Sequence, residues 1–138
     1  MLDNWDIKLA EYINERSSKS FEWGKQDCIT FSNNAYRLIK GYGFADEFIG
    51  GYTTAKGAAV AHAKFLNKTG YKDIIEGFDD RMERLKTNYP PRGAIVAKPQ
   101  DDTFMPFSFG IMANQYCAFV GEQSLVFLNP TDDMMFWR

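Results

Sequence analysis

Apolar residues from Cys28 onward fall at Cys28, Phe31, Ala35, Leu38 and Ile39, the spacing of one buried face of an amphipathic helix. Asp27, just ahead of that run, is placed to accept from the free amides of the first turn, and Gly41 ends the pattern after Arg37 and Lys40. Upstream, Trp5, Leu9, Tyr12 and Ile13 share a second helical face over about Asp3 to Glu15, with Asp3 or Asn4 as cap. A third helix is predicted from the cap Thr54 to Thr69, with Gly70 as its stop and alanines suited to close packing. A weaker fourth pattern runs through Ile74, Ile75, Phe78, Met82 and Leu85. At Tyr89-Pro90-Pro91-Arg92-Gly93 the chain breaks and the period shortens. Short strands are predicted at Gly93–Ala97, Phe107–Met112, Tyr116–Val120 and Leu125–Leu128, with a polar loop from Lys98 to Thr103. Helices first and antiparallel strands second make one α+β domain over residues 1–138.

Composition narrows this picture. The chain has 138 residues, enough for one core, and its aromatic content of 16% marks a folding sequence, not a disordered one. A net charge of -2 with mixed signs argues against a nucleic-acid partner. No apolar run reaches the roughly 18 residues of a membrane span. The acidic start Met1-Leu2-Asp3-Asn4-Trp5-Asp6 lacks the basic and apolar regions of a signal peptide, so synthesis in a cytoplasm is expected. Two cysteines far apart, Cys28 and Cys117, read as reduced thiols, and a single histidine, His62, argues against a Cys/His zinc site. No cofactor or metal is expected. Gly50-Gly51 lacks the Lys-Ser/Thr of a phosphate loop, and the pairs Asp101-Asp102 and Asp132-Asp133 lack the further ligands of a calcium loop.

The candidate chemistry centres on Phe21-Glu22-Trp23-Gly24-Lys25-Gln26-Asp27-Cys28. A cysteine at a helix N-terminus meets unsatisfied amides and the positive end of the dipole, which favour thiolate over thiol. The plain alternative is a small hydrophobe starting a core helix. Cys117 alternates with Phe119 on one strand face, and burial accounts for it. The ending Met134-Met135-Phe136-Trp137 carries two readings, closure of the sheet or an anchor for a partner surface.

Phe21, Trp23, Gly24, Asp27 and Cys28 resemble the nucleophile region of NlpC-type cell-wall cysteine peptidases, whose papain-like fold begins a helix at an Asp-Cys pair. Gly93-Ala94-Ile95-Val96 echoes a later Gly-Asp-Leu-Val strand, and Ser108-Phe109-Gly110-Ile111-Met112 echoes the strand that carries the catalytic histidine. The chain is also similar to a phage and prophage domain of unknown function that shares the Trp-Gly…Asp-Cys opening, a Leu-Val-Phe-Leu-like strand and a Trp-Arg ending. The departures from the peptidases are chemical. Ser108 stands where the histidine is expected, and a hydroxyl is no general base near neutral pH. Ala94 replaces the family's Asp, and of Phe127 to Asn129, where the third polar group would fall, only Asn129 is polar. His62 is a substitute base only if it approaches Cys28; otherwise it is an ordinary helix histidine.

The resemblance therefore implies an NlpC-like pseudoenzyme with a cleft around Cys28 formed by Trp23, Asp27 and Ser108. It implies a tail-associated structural or assembly role in a virion, with other phage structural proteins as partners. The alternative is an active cysteine hydrolase cleaving cell-wall peptide or another amide, with Cys28 as nucleophile.

Overall fold

In a computed structural model, described for residues 1–102 and 105–138, the chain forms four α-helices and a six-stranded antiparallel sheet. The helices are α1 (Trp5–Arg16), α2 (Cys28–Lys40), α3 (Ala55–Thr69) and α4 (Ile74–Arg81). The strands are β1 (Arg84–Leu85), β2 (Ile95–Pro99), β3 (Phe107–Met112), β4 (Cys117–Val120), β5 (Leu125–Leu128) and β6 (Met135–Trp137). They lie in the order β1-β6-β2-β3-β4-β5, so β2 to β5 form a meander and the last strand enters between the first two. This is the α+β arrangement expected.

Helix α2 is central because it is buried on two sides. It packs on β3 and α1 through Phe31, Ala35 and Ile39, all almost wholly buried. Its opposite side is polar and buried as well. Asn33 donates to Asp46 at 2.8 Å and accepts from the amide of Ala45 at 2.8 Å, which ties the aromatic loop after Gly41 to the helix. Asp46 also accepts from Arg37 at 2.7 Å and from the amide of Gly43 at 3.1 Å. The Asn33 hydrogen bond first, then Arg37, hold its carboxyl below the usual range. Phe44, Phe48 and Tyr52 of that loop are buried in the core as a result.

Three boundaries differ from the pattern-based expectation. Asn4 occupies the α1 cap position in the left-handed region, and its side chain makes no capping bond. The fourth helix stops at Arg81 instead of continuing to Leu85, because Met82 turns extended and Leu85 pairs with Phe136. The first long strand runs over Ile95–Pro99, not Gly93–Ala97. Gly93 has φ +89°, outside the range of a strand, and a Cβ there would meet Ile39 at 3.0 Å and Trp5 at 3.1 Å. Lys98 and Pro99, expected in a loop, thus close β2, while Thr103 lies outside the described residues.

The C-terminal segment is settled by its pairing. Phe136 sits opposite Val96 and Leu85, and Trp137 opposite Ile95 and Arg84. Trp137 is fully buried and donates its indole N–H to Asp79 at 2.9 Å. Met134 and Phe136 are buried and Met135 is half-buried, so these side chains fill the protein's own core. Closure replaces the anchor reading, since a side chain spent on the core is withheld from a partner.

Candidate functional site: a cleft at the start of the central helix

Trp23, Asp27, Cys28 and Ser108 all line one cavity of about 400 Å³, where the start of α2 meets β3. Four residues separated by up to 85 positions are thus brought together as the sequence suggested. Cys28 and Asp27 arrive on the first turn of α2, Trp23 on the loop before it, and Ser108 on β3 opposite Lys98. The cavity also takes in Tyr52 and Phe48 from the aromatic loop, and Gln100, Asp102 and Glu122 from the connections of the sheet. Sequence reasoning missed these, because nothing local indicates that residues before α3 and after β4 meet.

Asp27 does more than cap. One carboxyl oxygen accepts from the Thr30 amide at 2.9 Å. The other accepts from the Gly24 amide at 2.7 Å, the Thr30 hydroxyl at 3.0 Å and the Tyr52 hydroxyl at 2.9 Å. Asp27 is only 2% exposed, so these four donors are its environment and its hydrogen-bonding capacity goes to building the wall. Gly24 makes this possible. It has φ +84°, and a Cβ would lie 2.1 Å from the carbonyl oxygen of Tyr52, so only glycine lets the two loops touch. Asp27 and Gly24 together lock Trp23 beside Tyr52, whose hydroxyl is held protonated well above its usual range by burial, despite a hydrogen bond with Thr30.

Cys28 is partly accessible from the cavity, yet its sulfur is set among apolar walls. Desolvation pushes its pKa up to about 11; a hydrogen bond with the backbone of Phe109 pulls the other way, and the charge of Asp27 adds to the rise. The helix terminus therefore does not win. At neutral pH this group is a thiol, a poor nucleophile.

His62 is not among the described residues that line the cavity. It sits on α3 with its ring 6.1 Å from that of Phe48, and burial lowers its pKa, which favours the neutral imidazole. Asn129 lines a separate surface hollow beside Thr131 and Met134, and Ala94 is buried on the other face of the sheet. Neither Asn129 nor position 94 is thus among the described residues that line the cleft. Among the described residues, no three His, Cys, Asp or Glu side chains are grouped so that they could hold a metal ion. What the cleft offers is an aromatic-walled, acid-rimmed pocket with a protonated thiol in its floor.

No curated protein and no solved structure matches the chain. From residue 1 to residue 138 it matches one family, described as a domain of unknown function (DUF6950), and the chain belongs to that family.

Proposed function

We propose that the domain is an NlpC-like, papain-type fold that has kept its cleft and lost the reaction, serving as a recognition module in a phage tail-associated assembly. The architecture supports the fold assignment in outline: a cysteine-headed helix lies against an antiparallel sheet whose next-to-cleft strand carries Ser108. The observation that carries the non-catalytic reading is the state of Cys28. No histidine lines the cavity among the described residues to draw its proton away, and burial pushes the thiol up to about 11, on the protonated side at neutral pH. Because Met134 to Trp137 are spent on the core, any assembly contact uses other surfaces, the cleft among them.

The hydrolase reading has one observation in its favour: Cys28 lies on the first turn of a 13-residue helix and its sulfur is hydrogen-bonded to backbone at Phe109 and Ile29. Digestion of purified peptidoglycan separates the two. The expected result is no soluble fragment from either the wild type or Cys28→Ala; release by the wild type alone would overturn the non-catalytic reading. For the assembly role, the chain is expected among the structural proteins of purified particles of the phage that encodes it, and its absence from them would remove that part of the proposal.

A further inference from the structure

Of the rings that line the Cys28 cavity, four follow one another in contact: Phe21, Trp23, Tyr52 and Phe48. Each meets the next at a steep angle. Phe21 and Trp23 stand at 87° with centroids 4.7 Å apart, Trp23 and Tyr52 at 66° and 6.5 Å, and Tyr52 and Phe48 at 76° and 5.8 Å. Phe21 and Trp23 are partly exposed, whereas Tyr52 and Phe48 are buried, so the series leads from the mouth inward. The charged residues on the same walls are Asp27, Asp102 and Glu122, and no lysine or arginine is among the described lining residues. Asp27 is committed to its four donors; Glu122 and Asp102, which accepts from the Met105 amide at 3.3 Å, are exposed at the rim.

Aromatic faces carry negative electrostatic potential and attract cations, most strongly where water is excluded. Edge-to-face packing holds these rings in place against one another, and Trp23, the partly exposed indole of the series, lines the cavity. Carboxylates at the entrance raise the local concentration of positive charge. The volume of about 400 Å³ lies in the range of small-molecule sites, and the walls are ordered by the Asp27 hydrogen bonds without a ligand. A contrasting groove along α3, lined by Lys56, Lys64 and Lys68, has the opposite charge, so the acidity of the cleft is not a property of the surface at large.

We infer that this cavity binds an organic ammonium group, held against the ring of Trp23 and drawn in by Glu122 and Asp102. The inference rests on the reading of the cleft as a recognition site and specifies what it recognises. No bond is made or broken, and Cys28 contributes an uncharged floor that costs the cation nothing in like-charge repulsion.

The test is titration of the full chain with choline and with 3,3-dimethylbutan-1-ol, its neutral isostere, followed by calorimetry and by the Trp23 indole resonance. Butylammonium against butanol is the matching pair for a primary amine. At least one cation is expected to bind about tenfold or more tightly than its neutral counterpart. Trp23→Ala is expected to abolish that preference, and Glu122→Gln, at an exposed position, to weaken the cation about threefold while leaving the neutral compound unchanged. Equal binding of cation and isostere, binding of none of the four compounds, or an unchanged preference in Trp23→Ala would overturn the inference. If Trp23→Ala fails to fold, the wild-type isostere pairs and Glu122→Gln decide alone. Failure of the cations with peptidoglycan still intact removes only this inference, whereas peptidoglycan cleavage by the wild type removes the reading of the cleft on which it rests.

Discussion

The start of α2 and the middle of β4 each hold one cysteine, and burial pushes both thiols up to about 11. There the likeness ends. Cys117 is fully buried on the sheet face away from α2, between Met112 and Phe119, and its closest polar contact is the Met112 sulfur at 3.7 Å. Cys28 opens onto a cavity whose wall is organised by the carboxyl group next to it in sequence. That burial raises both thiols in such unequal places teaches that the construction around Cys28, not its acidity, distinguishes the site. A helix N-terminus lowers a thiol pKa only when solvent or a cation helps to hold the charge. Here the neighbouring charge is the carboxyl of Asp27, and it works in the wrong direction.

Removing the construction is expected to have the largest effect. Asp27→Ala orphans the Gly24 and Thr30 amides and two hydroxyls in a buried place, and should cost about 3–5 kcal/mol in urea unfolding. A loss below about 1 kcal/mol would mean that water replaces the carboxyl and that the wall is looser than described.

Thiol reactivity comes next. With the pKa raised from 9.0 to about 11, Cys28 in the native chain should react with iodoacetamide at pH 7.5 about a hundredfold more slowly than in the unfolded chain. Cys117 should react only on unfolding, since it is fully buried. Rapid labelling of Cys28 in the folded protein would separate the two thiols in titration as well as in place, and revive the nucleophile.

Serine substitution probes the same contrast through stability. Cys117→Ser places a hydroxyl among apolar side chains and should cost about 2 kcal/mol. Cys28→Ser should cost less than about 1 kcal/mol, because the backbone of Phe109 and the open cavity both receive the hydroxyl. Equal costs would erase the difference between the two surroundings.

A further expectation is shared by both thiols. Each folded-state pKa lies above the ordinary value of 9.0, so the unfolded chain loses these protons first. Stability should therefore be level below about pH 9 and fall as pH rises toward and through 11, with Tyr36, pushed up to about 12, extending the fall. A melting temperature that stays constant from pH 8 to about pH 11 would contradict the raised values.

Much of this was legible from local pattern. Asp27, Thr54 and their helices were readable because capping and the 3.6-residue period act within a few residues, and each cap is made as expected. The limits of β3 and β5 were readable from short apolar runs bounded by turn residues, also a local signal. The two-residue strand β1 was not. Arg84 and Leu85 are extended because Trp137 and Phe136 pair with them from some fifty residues away, and their own sequence continues the helical spacing of Phe78 and Met82. In the site, the motif residues Trp23, Asp27 and Cys28 were readable, being within one turn and its approach. Tyr52, Gln100 and Glu122 were not, because they reach the cavity through the loop anchored by Asn33 and Asp46 and through the sheet connections. The aromatic richness of the Tyr42 to Tyr52 loop was the one available signal, and it indicated packing without saying where.

The position of β6 also bears on how the chain assembles during synthesis. This strand is made after every other part of the sheet, yet it belongs in the interior, with β1 on one side and β2 on the other. The meander β2 to β5 pairs nearest neighbours and can form early, whereas β1 has no strand beside it until β6 arrives. Until then the outer edge of β2 stays open and Phe78 lacks the indole of Trp137 that covers it at 5.1 Å. Folding of this domain thus waits on its final strand, and a chain interrupted before residue 135 would present an unpaired edge to its neighbours.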